Sequence, residues 1–281
     1  MQLHPVQAAA RTAGHADQEP PLSFRPTAAA LLLAITGAGT PTVSAAVRYE
    51  GLAYSTANGE LAYREIHWRY RQDGRPARLV VYRCPDGQAF ARKRVLVDGR
   101  PAAPDFDFID ARDGYREGVR KADGGREVYW QAGRDAKTKT RPLASTADVV
   151  IDAGFDSLVR TRWQALQHGD PVSAAFLLPS RLDFVDVSIA RVDVVDSPVA
   201  TTRLRMELDA WYGFAAPRTE LVYRNSDRQL LRFEGLGTIR DGKGRHREVR
   251  IEFPPGLRTG NISREQVDAA ASVPLVGRCN G

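Results

Sequence analysis

Residues 58–99 read NGELAYREIHWRYRQDGRPARLVVYRCPDGQAFARKRVLVDG. Three runs rich in aromatic and aliphatic side chains lie between Asn58-Gly59, Asp73-Gly74, Asp86-Gly87 and Asp98-Gly99, and each of these pairs supplies the positive φ that a tight hairpin turn demands. The same punctuation continues at Asp113-Gly114 and Asp123-Gly124. Strands are therefore expected at 47–55, 61–71, 77–84, 90–97, 105–110, 115–120 and 126–131. Turns every 10 to 15 residues make this half an antiparallel meander.

After a basic connection at 134–141 the period changes. Phe155, Leu158, Val159, Trp163 and Leu166 recur at helical spacing, with Arg160, Arg162, Gln164 and Gln167 on the other side and Gly169 as the stop. Strands resume at 176–195 with a break expected at Pro179, then at 201–211, 218–224, 229–239 and 247–253. The run Pro254-Pro255-Gly256 is expected to stop the sheet, and Ser263 with Gln266 to cap a short helix through Ala271. About 10 to 12 antiparallel strands curl rather than stay flat. The expected fold is mainly β with a few helices: a long meander forming a curved sheet or partly open barrel around one amphipathic helix at about 155–168. Residues 47–281 form a single β-rich domain, or two lobes meeting near 134–153.

Upstream, Arg25-Pro26, the apolar run from Thr27 to Gly37, the breaker Pro41 and Val43-Ser44-Ala45-Ala46 have the order of an export signal's basic flank, short apolar segment and small-residue cleavage site. The strongly apolar part is about a dozen residues, where a membrane span needs about 20. Residues 1–46 read as an extension plus a signal removed near Ala45-Ala46, which places the mature chain in the periplasm with no transmembrane segment. Net charge is +6, carried by 35 Arg and 5 Lys against 34 acids, and residues 64–141 alone hold 19 basic against 12 acidic side chains. Export turns that basic excess towards envelope anions and away from nucleic acid. The two cysteines, Cys84 and Cys279, are a candidate disulfide in an oxidising compartment.

Catalytic signatures are missing. No G-x-S-x-G, H-E-x-x-H or Walker loop occurs, and Gly235-Leu236-Gly237 has Arg240 where a dinucleotide fingerprint needs its third Gly. No metal or cofactor is indicated. Tyr63, Glu65 and His67 share strand parity and would form either a Glu-oriented imidazole base or an ordinary exposed polar face, with Ile66, Trp68 and Tyr70 facing the core. Asp105, Asp107, Asp110 and Asp113 alternate with Phe106 and Phe108 in part, which favours a strand with Asp outward over a calcium loop. His168 reads as a helix C-terminal cap and His246 as solvent-facing.

Three runs carry a family likeness: Tyr49-Glu50-Gly51-Leu52-Ala53-Tyr54, Gly59-Glu60-Leu61-Ala62-Tyr63-Arg64-Glu65 and Gly114-Tyr115-Arg116-Glu117-Gly118. Through them the chain resembles uncharacterised exported proteins of proteobacteria that hold a domain of unknown function. The architecture is also similar to periplasmic carriers of lipidated cargo, in which a curved sheet wraps helices and leaves an apolar cavity. This likeness implies a binding or carrier protein for an amphiphilic envelope ligand, lined by Phe155, Trp163, Phe176, Leu178, Met206, Leu208, Trp211 and Phe214. The alternatives are a scaffolding protein of the cell envelope, partnered by another envelope protein, and a hydrolase built on His67 and Glu65.

Overall fold

The computed structural model of the protein describes residues 46–144, 149–195, 199–208 and 218–280. The expected leader through residue 45 lies outside the described residues, as do Trp211 and Phe214. The first half contains β1 (Ala46–Ser55), β2 (Leu61–Gln72), β3 (Arg75–Arg83), β4 (Ala89–Leu96), β5 (Asp105–Asp110), β6 (Tyr115–Ala122), β7 (Gly125–Gln131) and β8 (Lys139–Pro142). A short β9 (Val149–Val150) leads into α1 (Phe155–Thr161) and α2 (Trp163–His168). The second half contains β10 (Val172–Leu178), β11 (Asp183–Val195), β12 (Thr201–Leu208), β13 (Thr219–Arg224), β14 (Gln229–Arg240) and β15 (His246–Glu252), followed by β16 (Arg258–Ile262) and α3 (Arg264–Ser272).

Among the described residues one sheet contains sixteen strands, in the order β8-β7-β6-β5-β4-β3-β2-β1-β15-β14-β13-β12-β11-β10-β9, with β16 also beside β1. All pairs are antiparallel except β9 with β10. The two halves are joined at β1 and β15, through Leu52↔Glu252 to Ser55↔Val249. The free ends of the strand order are β8 and β9. Those ends approach each other: Arg141 on β8 pairs with Asp183 on β11 at 3.1 Å and donates to the Leu182 carbonyl at 3.3 Å.

The Asp-Gly and Asn-Gly turns put Gly59, Gly74, Gly87, Gly99, Gly114 and Gly124 at positive φ, as hairpin geometry requires. Three local expectations need correction. The connection 134–141 includes the start of β8, because Lys139 to Pro142 extend along β7. The break expected at Pro179, by contrast, is present: Pro179–Arg181 is a 3-10 turn, with Leu182 at φ 54°, that folds β10 back on β11. Pro254-Pro255-Gly256 interrupts the sheet without ending it. Beyond that loop β16 occupies the rest of the β1 edge, pairing Arg258 with Tyr49. Finally, the expected helix is two short ones, because Arg162 leaves helical geometry at φ −96° and ψ 16°.

The helices plug one end of the inner face of the second half. Val159, Trp163 and Leu166 are buried against Ile189, Leu204, Leu221 and Tyr223. Gly154, just before α1, sits so close to the Ala102 carbonyl that a Cβ would lie 2.0 Å from it, so only glycine lets this segment dock. On the outer face α3 covers Ile66, Trp68, Leu79 and Val81 with Val267. Its N-terminus has the expected capping box, Ser263 accepting from the Gln266 N–H and Gln266 from the Ser263 N–H. Cys84 and Cys279 form a disulfide with a Cα separation of 5.6 Å, tying the C-terminal tail to the first half. Closing a loop of 195 residues restricts the unfolded chain by about 5 kcal/mol in the entropy model.

Candidate functional site

Between the inner faces of the two halves lies a cavity of about 740 Å³, within the usual size range of small-molecule sites. Strand alternation explains its two unlike walls. On the first half the inward parity of β1 to β4 delivers Tyr49, Glu65, His67, Arg69, Arg78, Val80, Tyr82 and Lys93. On the second half the inward parity delivers Phe176, Leu178, Val185, Val187, Met206, Leu208, Leu230 and Phe233, and Phe155 of α1 faces the same space. The first wall is mainly polar and the second mainly apolar, with Glu207, Arg224 and Asp227 as the charged residues the second half adds.

The polar wall is a set of paired buried groups. His67 Nε2 and Glu65 Oε2 are 3.0 Å apart, with 6% and 7% of each residue exposed. The imidazole stacks on Tyr49 at 4.6 Å, and Phe253 meets it edge-on at 5.8 Å. Burial pushes the His67 pKa below its ordinary value; the hydrogen bond and charge of Glu65 oppose this and lose, while Arg78 and Arg69 add to the lowering. The ring is therefore neutral at pH 7, with its proton on Nε2 towards the carboxylate. Nδ1 is buried and has no hydrogen-bond partner among the described residues.

Next to this pair, Lys93 is 3% exposed and donates to Asp152 Oδ1 and, at 3.2 Å, to Thr238 Oγ1. Arg78 reaches the other carboxylate oxygen at 3.5 Å. Burial alone would raise the Asp152 pKa, but Lys93 and Arg78, helped by the Ala153 N–H, hold it below its ordinary value. Lys93 also lies 5.6 and 5.7 Å from the ring centres of Phe106 and Phe108. Beyond Phe108 in the same inward row, Glu117 is buried and accepts from the Tyr115 hydroxyl at 2.6 Å. Burial raises its pKa despite the pull of Tyr115 and Lys93.

The site residues read from the sequence divide cleanly. Phe155, Phe176, Leu178, Met206 and Leu208 line the cavity. Trp163 does not; as the first residue of α2 it packs onto the sheet against Tyr223 at 5.9 Å. Trp211 and Phe214 lie outside the described residues. Both rows of β2 are buried, since the cavity covers Glu65 and His67 while α3 covers Ile66 and Trp68, so the exposed polar face expected for Tyr63, Glu65 and His67 is absent. In the Asp cluster, Phe106 and Phe108 point inward, but Asp110 is buried rather than outward, held by Arg112 at 2.6 Å. Asp105 and Asp107 face Arg126 and Arg116, and Asp113 faces Arg240. His246 is exposed, with Nδ1 3.0 Å from the Gly237 carbonyl.

Lys93, Asp152, Arg78 and Arg258 were not singled out from the sequence. Parity places Arg78 and Lys93 on the inner face, but nothing local joins them to Asp152, 59 residues from Lys93.

No family model matches the chain, and no curated protein matches it in sequence. Among solved structures it is similar to a β-barrel-like protein of the domain of unknown function DUF1849 from Brucella abortus. Identity is 9% and the TM-score 0.44, covering 78% of this chain and 97% of that one. That likeness gives no residue a role, and the chemistry rests on the cavity itself.

Proposed function

We propose that this chain is an exported binding or carrier protein for an amphiphile, held with its apolar body against Phe155, Phe176, Met206 and Leu208 and its polar end against the opposite wall. The observation that carries this reading is the cavity of about 740 Å³ with one apolar and one charged wall. A ligand apolar throughout would face the polar groups of the first half, and a wholly polar one would face aliphatic and aromatic side chains it cannot hydrogen-bond. Export is supported by the order of residues 25–46: a basic flank, a short apolar segment and a small-residue cleavage site.

The two other readings have less support. A hydrolase needs a nitrogen of His67 that meets substrate or water, whereas Nε2 is engaged by Glu65 and Nδ1 is sealed. A scaffold acting through sheet edges needs an open template, and the β8 edge carries Lys139, Arg141 and Pro142, which discourage strand addition.

The test is native purification of the exported form, extraction with organic solvent and mass spectrometry of the extract. Stoichiometric amphiphile is expected. Protein that yields none, and that also binds no added amphiphile, removes the carrier reading. N-terminal sequencing of the same material is expected to begin at Ala46 or Val47, and retention of residues 1–24 would undo the export proposal.

A further inference from the structure

Building on the carrier reading, we infer that the ligand's head is an anion, a carboxylate or a phosphate, and that it is received at the corner of the cavity where Arg69 and Arg258 meet Tyr49. The charged wall is unbalanced. Arg69, Arg78, Lys93, Arg160 and Arg258 face the cavity on this side, against the carboxylates of Glu65, Asp152 and Asp156. The remaining charged lining closes on itself, Arg224 with Asp227 at 2.6 Å and Glu207 with Arg218 at 3.0 Å.

The surplus is concentrated at one place. Asp152 is taken by Lys93 and Arg78, while the same oxygen of Asp156 serves both Arg69, at 3.3 Å, and Arg160, at 3.1 Å. Arg258 pairs with no carboxylate among the described residues; its contact is the Tyr49 ring, 5.7 Å from the guanidinium carbon. Arg69 lies 5.4 Å from the same ring. One aromatic side chain thus has two guanidiniums beside it at a single corner, and among the described residues only Arg69 of the two has a carboxylate, Asp156, which it shares with Arg160.

The fold builds this corner deliberately far along the chain. The Pro254 to Leu257 interruption ends the β15 pairing with β1 and lets β16 resume beside it, which sets Arg258 opposite Tyr49, itself opposite His67. Both arginines are exposed at the rim rather than sunk in the core. An entering anion therefore need not displace a buried ion pair, and planar guanidiniums suit the oxygen pairs of carboxylate and phosphate. The apolar residues Phe176, Met206 and Leu208 line the same cavity from the other half, so a chain attached to the anion has a surface to cover.

The test compares submicellar dodecanoate, dodecyl phosphate and dodecanol as probes by isothermal titration with the delipidated protein, alongside Arg258→Gln, Arg258→Lys and the control Arg250→Gln. The wild type is expected to bind at least one anionic probe about fivefold or more tighter than dodecanol. Arg258→Gln should lose most of that preference with dodecanol affinity unchanged, Arg258→Lys should keep part of it, and Arg250→Gln should keep all. The tighter of the two anionic probes identifies the head as carboxylate or phosphate. Equal binding of the three probes by the wild type, or a preference that survives Arg258→Gln, overturns the anionic head and leaves the carrier reading standing. Binding of none of them overturns both.

Discussion

The two halves of the sheet use the same alternation of side chains and put opposite chemistry on the inside. Across the first half, one inward row runs Tyr49, His67, Val80, Lys93, Phe108, Glu117 and Trp130. Across the second, a row runs Leu204, Leu221, Phe233 and Ile251, and it continues into the first half as Ala53 and Tyr63. The second half faces inward with what a core ordinarily contains. The first buries titratable groups and stabilises them by pairing: His67 with Glu65, Lys93 with Asp152, Glu117 with Tyr115. A buried ion is tolerated only where partners replace its lost water, so each of these groups depends on a particular neighbour, whereas the apolar row depends on volume.

That contrast can be broken in order of expected effect. The first half is also the one tied covalently to the tail, and Cys84→Ser with Cys279→Ser is expected to lower unfolding free energy by about 5 kcal/mol, read as a shift of the guanidinium midpoint; an unchanged midpoint would mean the tether adds nothing. Lys93→Met leaves Asp152 buried with only Arg78 beside it, at an expected cost of about 3–5 kcal/mol. Adding Asp152→Asn to that variant should recover part of the loss, and an additive loss in the double variant would contradict the pairing argument. In the apolar row, Leu204→Ala is expected to cost about 3 kcal/mol through the cavity it leaves, with no second substitution across the sheet able to restore it by neutralising charge.

The smallest effect is a slope against pH. His67 has a folded pKa below its unfolded value of 6.5, so on acidification the unfolded chain takes up this proton first. Its contribution is complete above pH 6.5 and is lost progressively as the pH falls through that value towards the folded pKa. Thermal melts of the wild type should therefore fall more steeply than those of His67→Gln below pH 6.5. Parallel curves would show that the imidazole is not held neutral.

Much of this was legible along the chain. The Asp-Gly and Asn-Gly turns marked the hairpins, the strand from Asp105 to Asp110 has its expected limits, and Ser263 with Gln266 announced α3, because positive φ, alternation and capping are local properties. Of the six expected pocket residues that are described, five line the cavity, since apolar residues of inward parity must face whatever lies inside. Trp163 shares the apolar face of the helical segment with Phe155 but packs onto Tyr223 while Phe155 borders the cavity, because which part of that face meets the sheet depends on how α1 and α2 dock, with Gly154 against Ala102. Likewise β16 was hidden, because Pro254-Pro255-Gly256 ends a strand locally while the free edge of β1 that recruits the next one is some 200 residues away in the chain.

The sequence by itself determined a turn-punctuated antiparallel sheet with a short helical plug, for reasons of backbone conformation and side-chain period. Only tertiary contacts bring it about that His67 and Glu65 face the cavity, that Lys93 meets Asp152, and that Arg258 stands beside Tyr49 with no carboxylate partner among the described residues. Burial and charge pairing are properties of what lies opposite a residue, and for Lys93 and for Arg258 that neighbour is distant in the chain.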